Sequence, residues 1–217
     1  MIINIYKPKG WTSFDVVKKV RGILKEKKVG HAGTLDPFAE GVLILGTGLD
    51  TKNLTAISGL VKEYEATLTL GSKTDTFDLE GKVIETKDVP NIKFENIDAV
   101  LNSFLGEQLQ MPPMYSAKKV NGQRLYKLAR KNIEIKRDPC RINIYEIELI
   151  NYNSPVLKFK VQCSKGTYIR VLGSDIAEKL CTVGHLTALK RIRVGDFPLD
   201  KAIQISELEQ SEYIINA

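Results

Sequence analysis

Gly30-His31-Ala32-Gly33-Thr34-Leu35-Asp36-Pro37 sets one imidazole and one carboxylate in a turn between two glycines and a proline. Gly41 follows, and then Val42-Leu43-Ile44-Leu45, a fully apolar run short enough to be a buried strand. Ahead of the turn lies a basic helical pattern. A polar loop pinned between a helix and a central strand is where rigid frames carry their site residues. An aspartate before a proline also has a purely local use, because its side chain can hydrogen-bond its own backbone. The octapeptide alone leaves both readings open. Its neighbours narrow them.

On the N-terminal side, residues 2–6 read as a strand and Lys7-Pro8-Lys9-Gly10 as a turn. Thr12 or Ser13 can cap a helix from about 14 to 27, with Val16, Val17, Val20, Ile23 and Leu24 on one stripe. Its other face carries Lys18, Lys19, Arg21, Lys25, Lys27 and Lys28, which serves equally as a solvated surface or a track for phosphates. On the C-terminal side, residues 62–70 alternate, with Tyr64, Ala66, Leu68 and Leu70 on one face of a strand. Tyr64 therefore points toward the buried side. The loop 71–81 holds Asp75, Asp78 and Glu80 without the ligand spacing of a calcium loop. A strand at 82–87 and a helix at about 95–105 follow.

Residues 110–138 differ in character. Pro112 and Pro113 fix φ and remove donors, so Gln110 to Ala117 is expected to be irregular. Asn121-Gly122 signals a turn, and 123–131 a short helix with Leu125, Leu128 and Ala129 inward. Between 118 and 137 eight basic residues face one acid, a net of +7 that exceeds the +6 of the whole chain. Beside Tyr115 and Tyr126, that concentration reads as a nucleic-acid-binding insertion. Two long strands at about 140–152 and 155–164 come next, and a helix runs from the Ser164–Arg170 segment to about residue 180. Arg170 thus stands at a helix start, an unfavourable end for a cation. A partner carboxylate accounts for such a placement, and so does exposure to solvent. Strands at 184–194 and 197–203 and a helix at 206–210 complete the chain. With no repeats and no linker, 1–217 reads as a single α+β domain with a largely antiparallel sheet.

Composition narrows the functional classes. The chain has 217 residues, 43% hydrophobic and 27% charged, enough for a substantial core. No apolar run approaches the ~20 residues that span a bilayer, and the first residues lack a signal-peptide pattern, so a cytoplasmic protein is expected. Cys140, Cys163 and Cys181 form neither a disulfide framework nor a Cys-x-x-Cys metal site, and only His31 and His185 could add imidazole ligands. No metal is expected. The net charge of +6 favours a polyanionic partner.

Five segments in this order resemble the TruB-type tRNA pseudouridine synthases of bacteria. They are Lys7-Pro8-x-Gly10-x-Thr12-Ser13, the octapeptide 30–37 with Gly41, Lys62-Glu63-Tyr64, Tyr115-Ser116-Ala117, and Ser164-Lys165-Gly166-Thr167-Tyr168-Ile169-Arg170. Ala32 stands where many members have threonine. The resemblance implies the pseudouridine synthase fold, a curved, mostly antiparallel mixed sheet flanked by helices with a central catalytic cleft. It implies isomerisation of uridine 55 in the tRNA T loop, with base flipping, no cofactor and no obligatory protein partner, by a monomer. It assigns Asp36 as the essential carboxylate, Arg170 as its cationic partner and Tyr64 as the residue stacking on the target base. His31, Tyr168 and Leu189 match positions at the flipped nucleotide. Lys7, Lys118, Lys119 and Arg124 join the substrate-binding set, and residues 110–138 match an insertion that clamps the T loop. The small RNA-binding domain common after the catalytic domain is expected to be missing, since the sequence stops at Ala217.

Overall fold

The computed structural model describes residues 1–120, 122–131 and 133–215. Asn121, half of the expected turn, lies outside them; Gly122 has the positive φ (79°) of such a turn.

In chain order the elements are β1 (Ile2–Lys7), α1 (Ser13–Leu24), β2 (Val29–Ala32), β3 (Glu40–Thr47), a 3-10 turn (Gly48–Asn53), α2 (Leu54–Ser58), β4 (Lys62–Leu70), β5 (Ser72–Thr74) and β6 (Val83–Thr86). Then come α3 (Phe94–Asn102), β7 (Gly106–Gln110), β8 (Lys119–Val120), β9 (Gln123–Arg124), α4 (Leu125–Ala129), β10 (Cys140–Asn153) and β11 (Val156–Cys163). The chain continues through α5 (Ile169–Lys179), β12 (Gly184–Val194), β13 (Phe197–Pro198), a 3-10 turn (Leu199–Lys201) and α6 (Ile205–Ile215). The fold is α+β, with a mixed, mostly antiparallel sheet flanked by helices. The chain packs as two compact units: Met1–Tyr64 with the chain from Leu189, and Glu65–Ala188.

In the first unit β3 lies between β1, antiparallel to it, and the end of β12, parallel to it, with β2 also on β3. The apolar run 42–45 is explained by burial on both faces of this strand. Leu43 and Leu45 pack with Ile3, Ile5 and the α1 stripe Val16, Val17, Val20 and Ile23. Val42 and Ile44 pack with Ala32, Leu54 and Val194. Each such side chain contributes roughly 1.5–3 kcal/mol by burial, so a charge at Val20 would undo the α1 seat. Thr12 and Asp15 form a reciprocal capping box at the start of α1. The helix ends at Leu24, short of the expected 27, because Lys25 turns left-handed (φ 49°). Gly41 has φ 107°, and a Cβ there would lie 2.3 Å from the Arg191 carbonyl oxygen across the parallel pair. Only glycine fits.

The strands of the second unit run β12-β4-β11-β10-β7. Alternation along β4 buries Ala66, Leu68 and Leu70, and the long β10–β11 hairpin pairs Ile147 with Val161 and Leu149 with Phe159. Several strands depart from the sequence reading. β5 lies in the expected loop 71–81, and β8 and β9 pair where a turn and a helix from 123 are expected. Two more belong to the main sheet. Residues 30–32 form β2 rather than loop, with His31 opposite Leu45. Residues 106–110 form the edge strand β7, with Ile142 opposite Gln108. Neither has an apolar period, and pairing with a neighbouring strand supplies what side chains do not. The 197–203 strand shrinks to Phe197–Pro198, and the final helix is longer than expected.

Candidate active site

Asp36 sits half-buried in a loop whose backbone is bonded on both sides of it. Ser13 Oγ accepts from the amide of Leu35 at 2.9 Å and donates to the Leu35 carbonyl at 3.1 Å. The Pro37 carbonyl accepts from the Gly10 amide at 2.8 Å and from Lys7 Nζ at 3.4 Å. The Asp36 carbonyl accepts from the Ala39 amide at 3.1 Å. Leu35, Phe38 and Ala39 anchor the segment in the core. Backbone held this tightly on both flanks fixes the point from which the Asp36 side chain projects, which is a first requirement of positioned chemistry.

Lys7 departs from its assignment to substrate. It is 0% exposed, and Nζ also donates to the carbonyls of Pro8 at 2.8 Å and Trp11 at 2.6 Å. A buried ammonium turned to three backbone carbonyls braces the turn and presents no charge to solvent. Lys62 is buried too, and its Nζ donates to the carbonyls of Ser58 and Leu60. In the same unit Tyr64 and Leu189 are buried and His31 is half-buried.

Arg170 lies in the second unit, in the first turn of α5. Its Nη1 donates to the Thr76 carbonyl at 2.6 Å and its Nη2 to the Tyr115 carbonyl at 2.8 Å. Nη1 stands 3.4 Å from Asp78 Oδ2. Asp78 is itself held by Thr76 Oγ1 and the Glu80 amide through Oδ1. A cation at the positive end of a helix thus has a carboxylate partner in the loop 71–81. Gln110 fixes the N-cap of α5, two residues before Arg170: its side chain accepts from the Tyr168 amide at 2.8 Å and donates to the Tyr168 carbonyl at 3.1 Å.

In the insertion, Lys119 and Arg124 face each other across the β8–β9 pair, exposed. With Tyr126, Lys127 and Lys131 they line an open hollow of about 700 Å³. Lys118 is half-buried and turns its ammonium to Cys140 Sγ at 2.7 Å. Leu125 and Ala129 seat the short helix α4. Among the described residues no helix is long and apolar enough to cross a membrane, and no His, Cys, Asp or Glu cluster could hold a metal ion.

Residues 21–169 match the profile of the TruB family pseudouridylate synthase N-terminal domain, and 170–217 match that of the tRNA pseudouridylate synthase B C-terminal domain. The chain belongs to the TruB family. Relatives named tRNA pseudouridine synthase B include that of Clostridium tetani, 48% identical over all of this chain and 76% of the relative. The Clostridium kluyveri protein is 50% identical over 99% of this chain and 75% of its own length. Among solved structures, a chain of a Cbf5-Nop10-Gar1 complex superposes with a TM-score of 0.79 at 29% identity. That match covers 99% of this chain and 55% of the other.

Within this family member the sequence reading left out four residues that the geometry brings to the site segments. Ser13 and Arg191 brace the Asp36 loop, Asp78 faces Arg170, and Gln110 holds Tyr168. Ser13 closes the motif Lys7-Pro8-x-Gly10-x-Thr12-Ser13. Asp78 sat in a loop with two other acids, with nothing local to single it out.

Proposed function

We propose that this TruB-family protein is a tRNA pseudouridine synthase, an isomerase that converts uridine 55 of the T loop to pseudouridine. Identity of 48–50% to tRNA pseudouridine synthases B over the whole chain supports a tRNA substrate. The observation that carries the chemistry is the loop of Asp36, bonded on both flanks around one half-buried carboxylate.

In this reading the uridine leaves the stack, a cost of a few kcal/mol that is smallest for a base outside a duplex. The N1–C1′ bond breaks, the base turns, and a C5–C1′ bond forms. The proton lost from C5 is balanced by one gained at N1, so no redox group is needed. Asp36 acts either by adding to the reacting centre, as carboxylates do in glycosyl chemistry, or by taking a proton from the sugar. Arg170 is its cationic partner, held by Asp78, and Tyr64 stacks on the target base. His31, Tyr168 and Leu189 receive the flipped nucleotide. The insertion, through Lys119 and Arg124, grips the phosphates of the T arm. The enzyme works as a cytoplasmic monomer. Incubation with a tRNA transcript, with pseudouridine mapped by position, tests the reading: product at 55 supports it, and product elsewhere or none contradicts it.

A further inference from the structure

Arg191, on β12, is 1% exposed and the largest fully buried side chain among the described residues. Its Nε donates to the Val42 carbonyl at 2.7 Å and its Nη2 to the Gly33 carbonyl at 3.0 Å. Gly33 lies three residues before Asp36 and Val42 six after it, so one guanidinium ties together the two ends of the segment that carries the carboxylate. The backbone of Arg191 is fitted as closely, since its carbonyl fills the place a side chain at residue 41 would take. Among the described residues its side chain makes no ion pair, and its polar partners are backbone carbonyls.

A buried cation without a counter-ion is a poor device for stability, and a well-packed apolar side chain of similar volume commonly serves a core as well or better. What a guanidinium offers instead is a rigid planar fork that meets two acceptors at once. We propose that Arg191 is a positioning residue for Asp36: it sets the distance between Gly33 and the start of β3 and thereby the aim of the carboxylate. The proposal rests on the reading of Asp36 as the essential group. It assigns Arg191 no contact with RNA.

The test uses the full chain as Arg191→Met, Arg191→Lys and Arg191→Ala, beside Asp36→Asn, with a T-loop tRNA as substrate. Single-turnover rate, tRNA affinity and melting temperature are read for each. Because a misplacement on the order of 1 Å costs about a hundredfold, the Met variant is expected to lose roughly that factor in rate. Its melting temperature should match or exceed the native one, and its tRNA affinity should stay within about threefold. Lysine, which reaches one carbonyl at a time, should recover only part of the rate. Added guanidinium should restore the Ala variant saturably, and methylammonium should not. A folded Met or Lys variant working at the native rate overturns the proposal. So does failure of guanidinium to raise the rate of the Ala variant, which decides the matter if the Met variant does not fold. If Asp36→Asn makes product, the reading of Asp36 fails whatever Arg191 does. If Asp36→Asn is inert while Arg191→Met keeps the native rate, only the role of Arg191 is lost.

Discussion

Arg170 and Asp78 meet inside the protein, guanidinium to carboxylate at 3.4 Å, with 4% of each side chain exposed. The pair resolves the oddity of a cation at a helix start, and Thr76 and Tyr115 complete the grip with two backbone carbonyls. Removing one partner of a buried pair leaves the other charge uncompensated.

Asp78→Ala should therefore lower stability by about 3–5 kcal/mol. The isosteric Asp78→Asn should cost less, roughly 1–3 kcal/mol, and slow the single-turnover rate at least tenfold with tRNA affinity unchanged. Denaturant unfolding and rapid-quench kinetics on the Asn variant check this. Native stability and rate together would remove Asp78 from the site.

Much of this frame was legible in the residues. The apolar run 42–45, the alternation at 62–70 and the stripe of α1 each bury a face, and burial writes a period into sequence. What no local pattern shows depends on partners distant in the chain. β2 and β7 carry no apolar period and exist through ladders to β3 and β10. Asp78 and Arg170 are 92 residues apart in numbering, so no local pattern joins them. Lys7 shows the converse: a lysine in a Pro-Gly turn suggests exposure, yet three backbone carbonyls converge on it. The carboxylate loop was recognised from its motif, but the bonds that hold it come from Ser13, Lys7 and Arg191 on other elements.

Away from these segments, Asp175 on α5 has its pKa raised to about 6 by burial first and by the Glu178 charge second, with Lys73 and Lys179 partly offsetting them. Asp175, Glu178 and Lys179 line an open pocket together with Glu107. A carboxyl group with a raised folded-state pKa favours folding most below its unfolded value of 3.8, and that contribution is lost as pH rises toward 6. Asp175→Asn should thus stabilise the protein at pH 7, by about 1 kcal/mol after allowance for solvent screening. That corresponds to roughly 2–4 °C in melting temperature. The gain should vanish near pH 4. A gain that is equal at pH 4 and pH 7 would contradict the burial account.

Salt dependence separates grip from chemistry in the insertion. Each phosphate contact that is lost lowers the slope of log affinity against log salt by about 0.7–0.9. Replacing Lys119, Arg124, Lys127 and Lys131 with alanine should weaken tRNA binding and flatten that slope by about 2 or more. The single-turnover rate at saturating enzyme should fall by less than about threefold, because these groups position RNA and do not react with it. Lys118, turned to Cys140, is left in place. Filter binding from low to moderate salt gives the answer, and an unchanged slope would place recognition elsewhere.

The central claim is that the braced carboxylate of Asp36 performs the isomerisation, and Asp36→Asn with a uridine-55 tRNA transcript tests it most directly. The variant should fold and bind tRNA within about threefold of the native protein, since the loop is held through backbone groups that asparagine retains. Position-resolved mapping at enzyme excess should find no pseudouridine at 55, where the native protein converts the substrate. Appreciable product at 55 from a clean preparation of the variant would contradict the account.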